Sequence, residues 1–146
     1  MIALGSDHAG FDYKELLKKI LGEIGKPYQD FGTFSTDSVD YPDIAHMVSN
    51  AVASGKFQRG ILICGTGIGM SIVANKHNGI RAAACESSVS AKLSREHNDA
   101  NILCLGARIT NFETATEIVK TFLTTPFSGE ERHICRIQKI HSLTGL

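Results

Sequence analysis

The sequence predicts a three-layer α/β sandwich, in which helices cover both faces of a five-stranded parallel sheet. Short apolar runs alternate along the chain with longer stretches whose apolar residues recur at helical spacing. The runs are almost continuously apolar, which is typical of strands that are buried on both faces. No linker, repeat or low-complexity segment interrupts the pattern, so we expect residues 1–146 to form a single Rossmann-like domain.

The first half of the chain provides three of the strands. Residues 2–4 form a short apolar strand, and the apolar residues from Leu16 to Ile24 then follow at helical spacing. Gly25-Lys26-Pro27 ends that helix, and residues 28–31 predict the second strand. A second helix starts near Pro42 and stops at Gly55, before the third strand at residues 61–64.

The second half repeats the alternation and adds a helix at its end. Helices are predicted over 68–76, around 89–95 and over 112–123, with strands at 81–85 and 102–105. After Pro126 and Gly129, a last amphipathic stretch carries Ile134, Ile137 and Ile140 on one side. This helix lies beyond the five βα units, so its isoleucine face needs another surface to cover it.

Composition argues against several classes of protein. Lys plus Arg and Asp plus Glu number 15 each, a net charge of +0, which does not suit a general nucleic-acid surface. The N-terminus lacks the features of a signal peptide, and no stretch is long enough to span a membrane. Four widely spaced cysteines form no CxxC pair, so we expect no metal site and a reducing, cytoplasmic location.

Polar residues collect after the predicted strands, where ligands bind in parallel α/β folds. Asp7-His8 follows the first strand, and Arg108 follows the fifth. The simplest interpretation makes Asp7 a helix N-cap and His8 a solvated loop residue. Ser87 and Ser88 are likewise interpreted as caps, and three cysteines as inert residues: Cys85, Cys104 and Cys135.

Cys64 differs from the other cysteines because a glycine-rich turn, GTGIG, follows it directly. Backbone N–H groups from Gly65 to Gly69, together with the start of the next helix, can hold an anion, and the same field favours a thiolate. The turn matches neither a Walker loop nor a full GxGxxG motif. The local pattern leaves two interpretations open, a catalytic thiol and a plain anion-binding loop.

Two further clusters carry groups suited to a phosphorylated ligand. His97 and Asn98 come just before the fifth strand. Arg132 and Arg136 are four residues apart, which places both guanidinium groups on one face of the last helix. Such a pair is commonly a solvated basic face, but it also suits a phosphate clamp.

Together these motifs resemble the family of ribose-5-phosphate isomerases of the B type, which also holds galactose-6-phosphate and allose-6-phosphate isomerases. The resemblance covers nearly the whole chain. It is carried by GSDHAGF, DYPD, GILICGTGIGMSIVANK, GIRAA, LSREHNDANIL, LGARI and RHICRI. It implies aldose–ketose isomerisation through a cis-enediolate without a metal or redox cofactor, and a homodimer or tetramer whose sites are built across the subunit interface.

The resemblance also implies a role for each candidate residue. Cys64 is the base, Thr66 bonds near the thiol or the sugar, and His97 opens the furanose ring. The anion hole is formed by the backbone of Gly65, Gly67, Ile68 and Gly69. The sugar is contacted by Asp7, Tyr41 and Asn98, and the phosphate by His8, Arg108, Arg132 and Arg136. A divergent branch of the family places a glutamate base where this chain has Met70, which cannot act as one.

Three alternatives stand beside the ribose-5-phosphate isomerase interpretation. In the first, the substrate is a six-carbon sugar phosphate, since the depth between Cys64 and the arginines is not encoded in the motifs. The other two are a phosphate-binding module and a sugar-phosphate sensor, both without turnover. The presence of both Cys64 and His97 argues against these two, since binding alone needs neither.

Overall fold

Five strands and six helices alternate in the computed structural model, which describes all residues from 1 to 146. The strands are β1 (Ile2–Ser6), β2 (Tyr28–Asp30), β3 (Arg59–Cys64), β4 (Ala82–Ala84) and β5 (Ile102–Gly106). The helices are α1 (Phe11–Glu23), α2 (Tyr41–Ala53), α3 (Ile68–Ala74), α4 (Ser88–Asn98), α5 (Phe112–Thr124) and α6 (Glu131–Thr144). None of the helices is both long enough and apolar enough to span a bilayer.

The strands form one sheet in the order β2-β1-β3-β5-β4, and every neighbouring pair is parallel. Apolar side chains on its two faces form two separate core clusters. Residues of α1, α4 and α5 complete one cluster, and residues of α2 and α3 complete the other. The predicted three-layer α/β sandwich with a five-stranded parallel sheet is therefore confirmed.

The edge strand β4 is one residue shorter at each end than the predicted range of 81–85. Arg81 donates its backbone N–H to the side chain of Asn101 (2.9 Å) rather than to a neighbouring strand. Asn75 ends α3 and uses its side-chain amide to pair with both the N–H (2.8 Å) and the carbonyl (2.9 Å) of Ala82. The helix predicted to reach residue 76 thus stops at Ala74, and the open edge of β4 is partly satisfied.

The C-terminal helix α6 packs beside the end of α4 and leaves most of its surface uncovered. Ser128, just before α6, donates its N–H to the carbonyl of Glu96 (3.1 Å). Ile134 and Ile140 remain 39% and 43% exposed, although they belong to the predicted apolar face. Packing of this face on a partner subunit stays a prediction.

Candidate active site

The carboxyl ends of the neighbouring strands β1 and β3 lie side by side, where the connections of the sheet change direction. These neighbouring strands lead into helices on opposite faces, since α1 covers one face and α3 the other. A crevice forms at such a switch point outside the carboxyl ends of the strands, and it is the usual ligand site of parallel α/β sheets. Because Ser6 pairs with Ile63, Asp7 and Cys64 follow side by side into this crevice, on strands about 4.8 Å apart.

Cys64 is the last residue of β3, and its thiol lies beneath the turn that follows. Its Sγ accepts the backbone N–H of Gly67 at 3.1 Å, and only 4% of the residue is exposed. Gly67 has φ = 77°, a left-handed conformation that costs other residues roughly 1–2 kcal/mol. The turn therefore directs an N–H at the sulfur, and a negatively charged thiolate strengthens such a bond.

The start of α3 leaves donors free for a further negative charge. The N–H groups of Gly69 and Met70, in the first turn of this helix, have no acceptor in the chain. Met70 itself is fully buried in the core beside Cys64. The N–H of Ile68 is already used, because it donates to Oγ1 of Thr66 at 3.2 Å. An anion hole here would consist of fewer N–H groups than the whole run from Gly65 to Gly69.

Thr66 is exposed and does not bond to Cys64. Its oxygen accepts from Ile68, so its hydroxyl proton is free to donate to a ligand. This geometry favours contact with the sugar over contact with the thiol, which were the two roles predicted for Thr66.

Asp7 and His8 are held in place by backbone groups. Asp7 accepts the N–H of Gly10 at 3.0 Å and is buried. It is not the predicted N-cap, because Gly10 occupies that position before α1. Nδ1 of His8 accepts the N–H of Val39 at 3.2 Å, so the neutral ring carries its proton on Nε2, which is available to a ligand.

Arg108 and Tyr41 border the glycine turn on two sides. The N–H of Arg108 donates to the carbonyl of Gly65 (3.0 Å), and a methyl group at Gly65 would lie 3.2 Å from Nη1 of Arg108. A methyl group at Gly69 would lie 2.7 Å from the ring of Tyr41. The structure thus gathers these predicted site residues at one edge of the sheet: Asp7, His8, Tyr41, Cys64, Gly65, Thr66, Gly67, Ile68, Gly69 and Arg108.

The other four predicted residues lie at the opposite ends of the strands. Helix α4 starts after the carboxyl end of β4 and runs back, so His97 and Asn98 come at its end, just before β5 begins. The five residues of β5 separate its two ends by about 13 Å. Arg132 and Arg136 belong to the first turns of α6, which packs beside the end of α4. Within one chain, His97 therefore does not reach the crevice that holds Cys64.

Two features of this second group were not predicted. Arg132 donates to Glu130 at 2.8 Å, so one arginine of the pair already has an acidic partner in the chain. His133 is buried, and its ring lies against that of His97 with centroids 4.4 Å apart. The only sequence signal for this contact is a histidine between two arginines on the predicted clamp helix.

Two of the other cysteines and one of the two predicted caps agree with the simpler interpretations, whereas Ser88 is the first residue of α4 and the inertness of Cys135 stays a prediction. Cys104 and Cys85 are buried, and burial raises the pKa of each thiol, well above the usual value for Cys104. Cys135 is exposed on α6. Ser87 is the N-cap of α4 and accepts the N–H of Ser90 at 3.1 Å.

The fold and the crevice place the chain among parallel α/β proteins whose ligand crevice, at the switch point of the sheet, is lined by a thiol and by free backbone N–H groups. Comparison with known proteins narrows this class. The family model described as Ribose/Galactose Isomerase matches residues 2–140. The chain therefore belongs to the ribose/galactose isomerase family.

Three relatives show how close the similarity is. Ribose-5-phosphate isomerase B of Escherichia coli is 46% identical, over 97% of this chain and 95% of its own length. D-erythrulose-4-phosphate isomerase of Pectobacterium atrosepticum is 45% identical, over 88% of this chain and 85% of its own. A solved structure of Clostridium thermocellum ribose-5-phosphate isomerase B superposes with a TM-score of 0.96 at 49% identity, over 99% of this chain and 97% of that one.

Proposed function

We propose that this protein is an isomerase that interconverts ribose 5-phosphate and ribulose 5-phosphate, with Cys64 as the base. The observation that carries this proposal is the thiol at the switch point, 3.1 Å from the N–H of Gly67 and beside the free N–H groups of α3. A phosphate-binding module would need the N–H groups but not the thiol. The similarity to ribose-5-phosphate isomerases B supports the reaction.

The chemistry follows from the positions of these groups. The thiolate of Cys64 removes the proton from C2 of the open-chain aldose, and the electron pair moves to the carbonyl oxygen O1. Free N–H groups at the start of α3 stabilise the enediolate, and one such donor typically contributes about 3–4 kcal/mol. The thiol then returns the proton to C1, while the hydroxyl proton of O2 moves to O1, which gives the ketose.

We further infer that a second copy of the chain completes each site. His97, Asn98, Arg132 and Arg136 are too far from Cys64 to act in the same chain. Exposed apolar side chains offer a surface for a homodimer on three helices: Ile68 and Ile72 on α3, Val89 and Leu93 on α4, and Ile134 and Ile140 on α6. In the completed site, His97 would open the ring of the substrate, and the arginines would hold its phosphate.

The length of the sugar is the open part of the proposal. Relatives at 46% and 45% identity carry names for a five-carbon and a four-carbon substrate, so identity does not separate the two. The five-carbon substrate is supported by the close structural matches, which are ribose-5-phosphate isomerases. D-erythrulose 4-phosphate is the second candidate, beside six-carbon sugar phosphates, and kcat/KM for each substrate decides between them.

The unpaired cysteines suit a cytoplasmic location.

Co-expression of two inactive chains tests the shared site. One chain carries Cys64→Ser and the other His97→Asn. A mixed dimer has one site with both groups intact, so random pairing should restore about a quarter of the wild-type kcat. The matched control pairs Cys64→Ser with the double variant Cys64→Ser/His97→Asn and should stay inactive. Mixed dimers that form but have no activity would contradict the shared site, and full activity of either single variant would contradict its catalytic role.

A further inference from the structure

Away from the crevice, two histidines meet between α2 and the segment that follows α3. His46 lies on the exposed side of α2, and His77 comes three residues after the end of α3. Nδ1 of His46 is 2.8 Å from Nε2 of His77, and the ring centroids are 5.0 Å apart. The glycine turn lies at the other end of α3, about 10 Å away along the helix axis, so the pair is separate from the proposed active site.

The hydrogen bonds around these rings determine where their protons lie. Nδ1 of His77 faces the carbonyls of Val73 (3.0 Å) and Ala74 (3.2 Å), which only accept, so it carries the proton. Its Nε2 therefore presents a lone pair to His46. On the other side of His46, Nε2 lies 2.8 Å from the side-chain amide of Asn50. With neutral rings, a single proton on Nδ1 of His46 joins the two imidazoles.

We propose that a divalent transition-metal ion replaces this shared proton, with Nδ1 of His46 and Nε2 of His77 as its two protein ligands. Metal–imidazole bonds are about 2.0–2.1 Å long, so tetrahedral coordination needs the nitrogens about 3.3 Å apart. The present separation of 2.8 Å is therefore about half an ångström short. Water completes the coordination, because His46 and Asn50 are exposed.

The surroundings can satisfy both ligands in the metal-bound form. His77 keeps its Nδ1–H on a backbone carbonyl, which is the usual arrangement for a histidine ligand. His46 moves its proton from Nδ1 to Nε2, where the amide oxygen of Asn50 can accept it after a flip of the side chain. No net proton is released. Asp43 lies on the same face of α2, three residues before His46, and adds negative charge near the ion.

Imidazole ligands determine which ions the site would bind, and the position of the site determines the effect of the ion on stability. They suit Ni²⁺, Cu²⁺ and Zn²⁺ rather than Mg²⁺ or Ca²⁺, which prefer oxygen. An ion held between α2 and residue 77 would link the two helices that cover one face of the sheet. Its effect would be to stabilise the folded chain in proportion to occupancy, without a part in the isomerisation.

Calorimetric titration with Ni²⁺ tests this site. The wild-type protein should bind one ion per chain, with no saturable binding of Mg²⁺. His46→Gln and His77→Gln should each abolish this event, and Asn50→Ala should weaken it about tenfold through loss of the supporting hydrogen bond. His141→Gln removes a histidine from α6 and should leave the isotherm unchanged. Circular dichroism establishes that each variant is folded.

Two spectroscopic readouts complete the test. Titration with Co²⁺ should give d–d bands without sulfur-to-metal charge transfer, because no cysteine takes part. Ni²⁺ should raise the melting temperature of the wild-type protein and not that of His77→Gln. The proposal is overturned if wild-type protein binds no stoichiometric ion, if His77→Gln binds as well as the wild type, or if thiolate bands accompany binding.

Discussion

The rings of His97 and His133 lie against each other, with centroids 4.4 Å apart and an angle of 39° between their planes. His133 is buried at the start of α6, and its Nδ1 lies 2.8 Å from the hydroxyl of Ser128. Burial is the largest cause that lowers the pKa of His133, and the nearby charge of His97 lowers it further. His133 thus supports the ring of His97 from one side as a neutral group, which makes it a positioning residue for the proposed ring-opening step.

Stability should therefore fall as the pH decreases through the range where His133 titrates. A histidine whose pKa is lowered by folding binds its proton more readily in the unfolded chain. The contribution of neutral His133 to the free energy of unfolding is fully present above about pH 6.5, the pKa of an unfolded histidine. This contribution is lost as the pH falls toward the lowered pKa of the folded state. Urea midpoints from pH 7.5 to 5, at one protein concentration, should fall less steeply for His133→Phe than for the wild type. Equal slopes would contradict the assignment.

The contrast between the crevice and the second group shows what the sequence could predict. Apolar runs and glycine turns are local signals, so the strands and the turn after Cys64 were predictable. His97 precedes β5 whereas Cys64 ends β3, so their separation at opposite ends of the parallel strands also follows from the predicted elements. The pairing of β3 with β5, which are remote in the sequence, is encoded by no local pattern. The contacts of His46 with His77 likewise join residues 31 apart in the sequence. Such long-range contacts were beyond the motif analysis.

Removal of the thiol should affect turnover and leave the fold intact. Cys64→Ser replaces the thiol with a hydroxyl, a far weaker acid that gives almost no anion at neutral pH. We expect kcat for ribose 5-phosphate to fall by about 10²–10⁴, the usual contribution of a general base. Cys85→Ala changes a buried cysteine outside the turn and serves as the control, with kcat near wild type. A Cys64→Ser enzyme that keeps most of its kcat would rule out the thiol as base.

Alanine substitutions at two glycines with nearly the same φ distinguish the cost of backbone strain from the cost of a steric clash. Gly67 has φ = 77° and Gly79 has φ = 74°. A methyl group added at Gly67 would lie 3.0 Å from the backbone of Leu105, whereas one added at Gly79 would meet nothing within 4 Å. Gly79→Ala should cost about 1–2 kcal/mol of unfolding free energy. Gly67→Ala should cost more and also reduce kcat, since it displaces the N–H that faces Cys64. Equal losses from denaturant titration would show that the contact with Leu105 relaxes freely.

The buried ion pair between Lys14 and Asp30 should be a major determinant of stability. Nζ of Lys14 is fully buried, 2.7 Å from Asp30 and 2.6 Å from the carbonyl of Thr33. Although burial alone would raise the pKa of Asp30, hydrogen bonds from Lys14, Gly32 and Lys18 outweigh it and lower that pKa. Lys14→Met leaves Lys18 as the only cation bonded to the carboxylate, and we expect a loss of about 3 kcal/mol of unfolding free energy.

Two measurements check this role of Lys14. The double variant Lys14→Met/Asp30→Leu should recover much of the loss, because no uncompensated charge stays behind. A carboxylate whose pKa is lowered by folding adds stability above the unfolded value of 3.8, and this contribution disappears as the pH falls through the folded value. The difference between wild type and Lys14→Met should therefore shrink below about pH 4. A constant difference down to pH 2 would mean that packing, and not charge, accounts for the loss.

Arg136 should determine how tightly the phosphate is held. It is exposed on α6 and forms no ion pair within the chain, whereas Arg132 is already bonded to Glu130. Loss of one charge-assisted phosphate contact typically costs about 1.5–3 kcal/mol, or roughly 10- to 150-fold in binding. Arg136→Ala should raise KM by that factor, with a smaller fall in kcat unless the binding energy also aligns the sugar with Cys64. Lys139→Ala removes a neighbouring positive charge from the same helix and should leave KM unchanged. Equal effects of the two variants would indicate general electrostatic attraction and contradict a specific clamp.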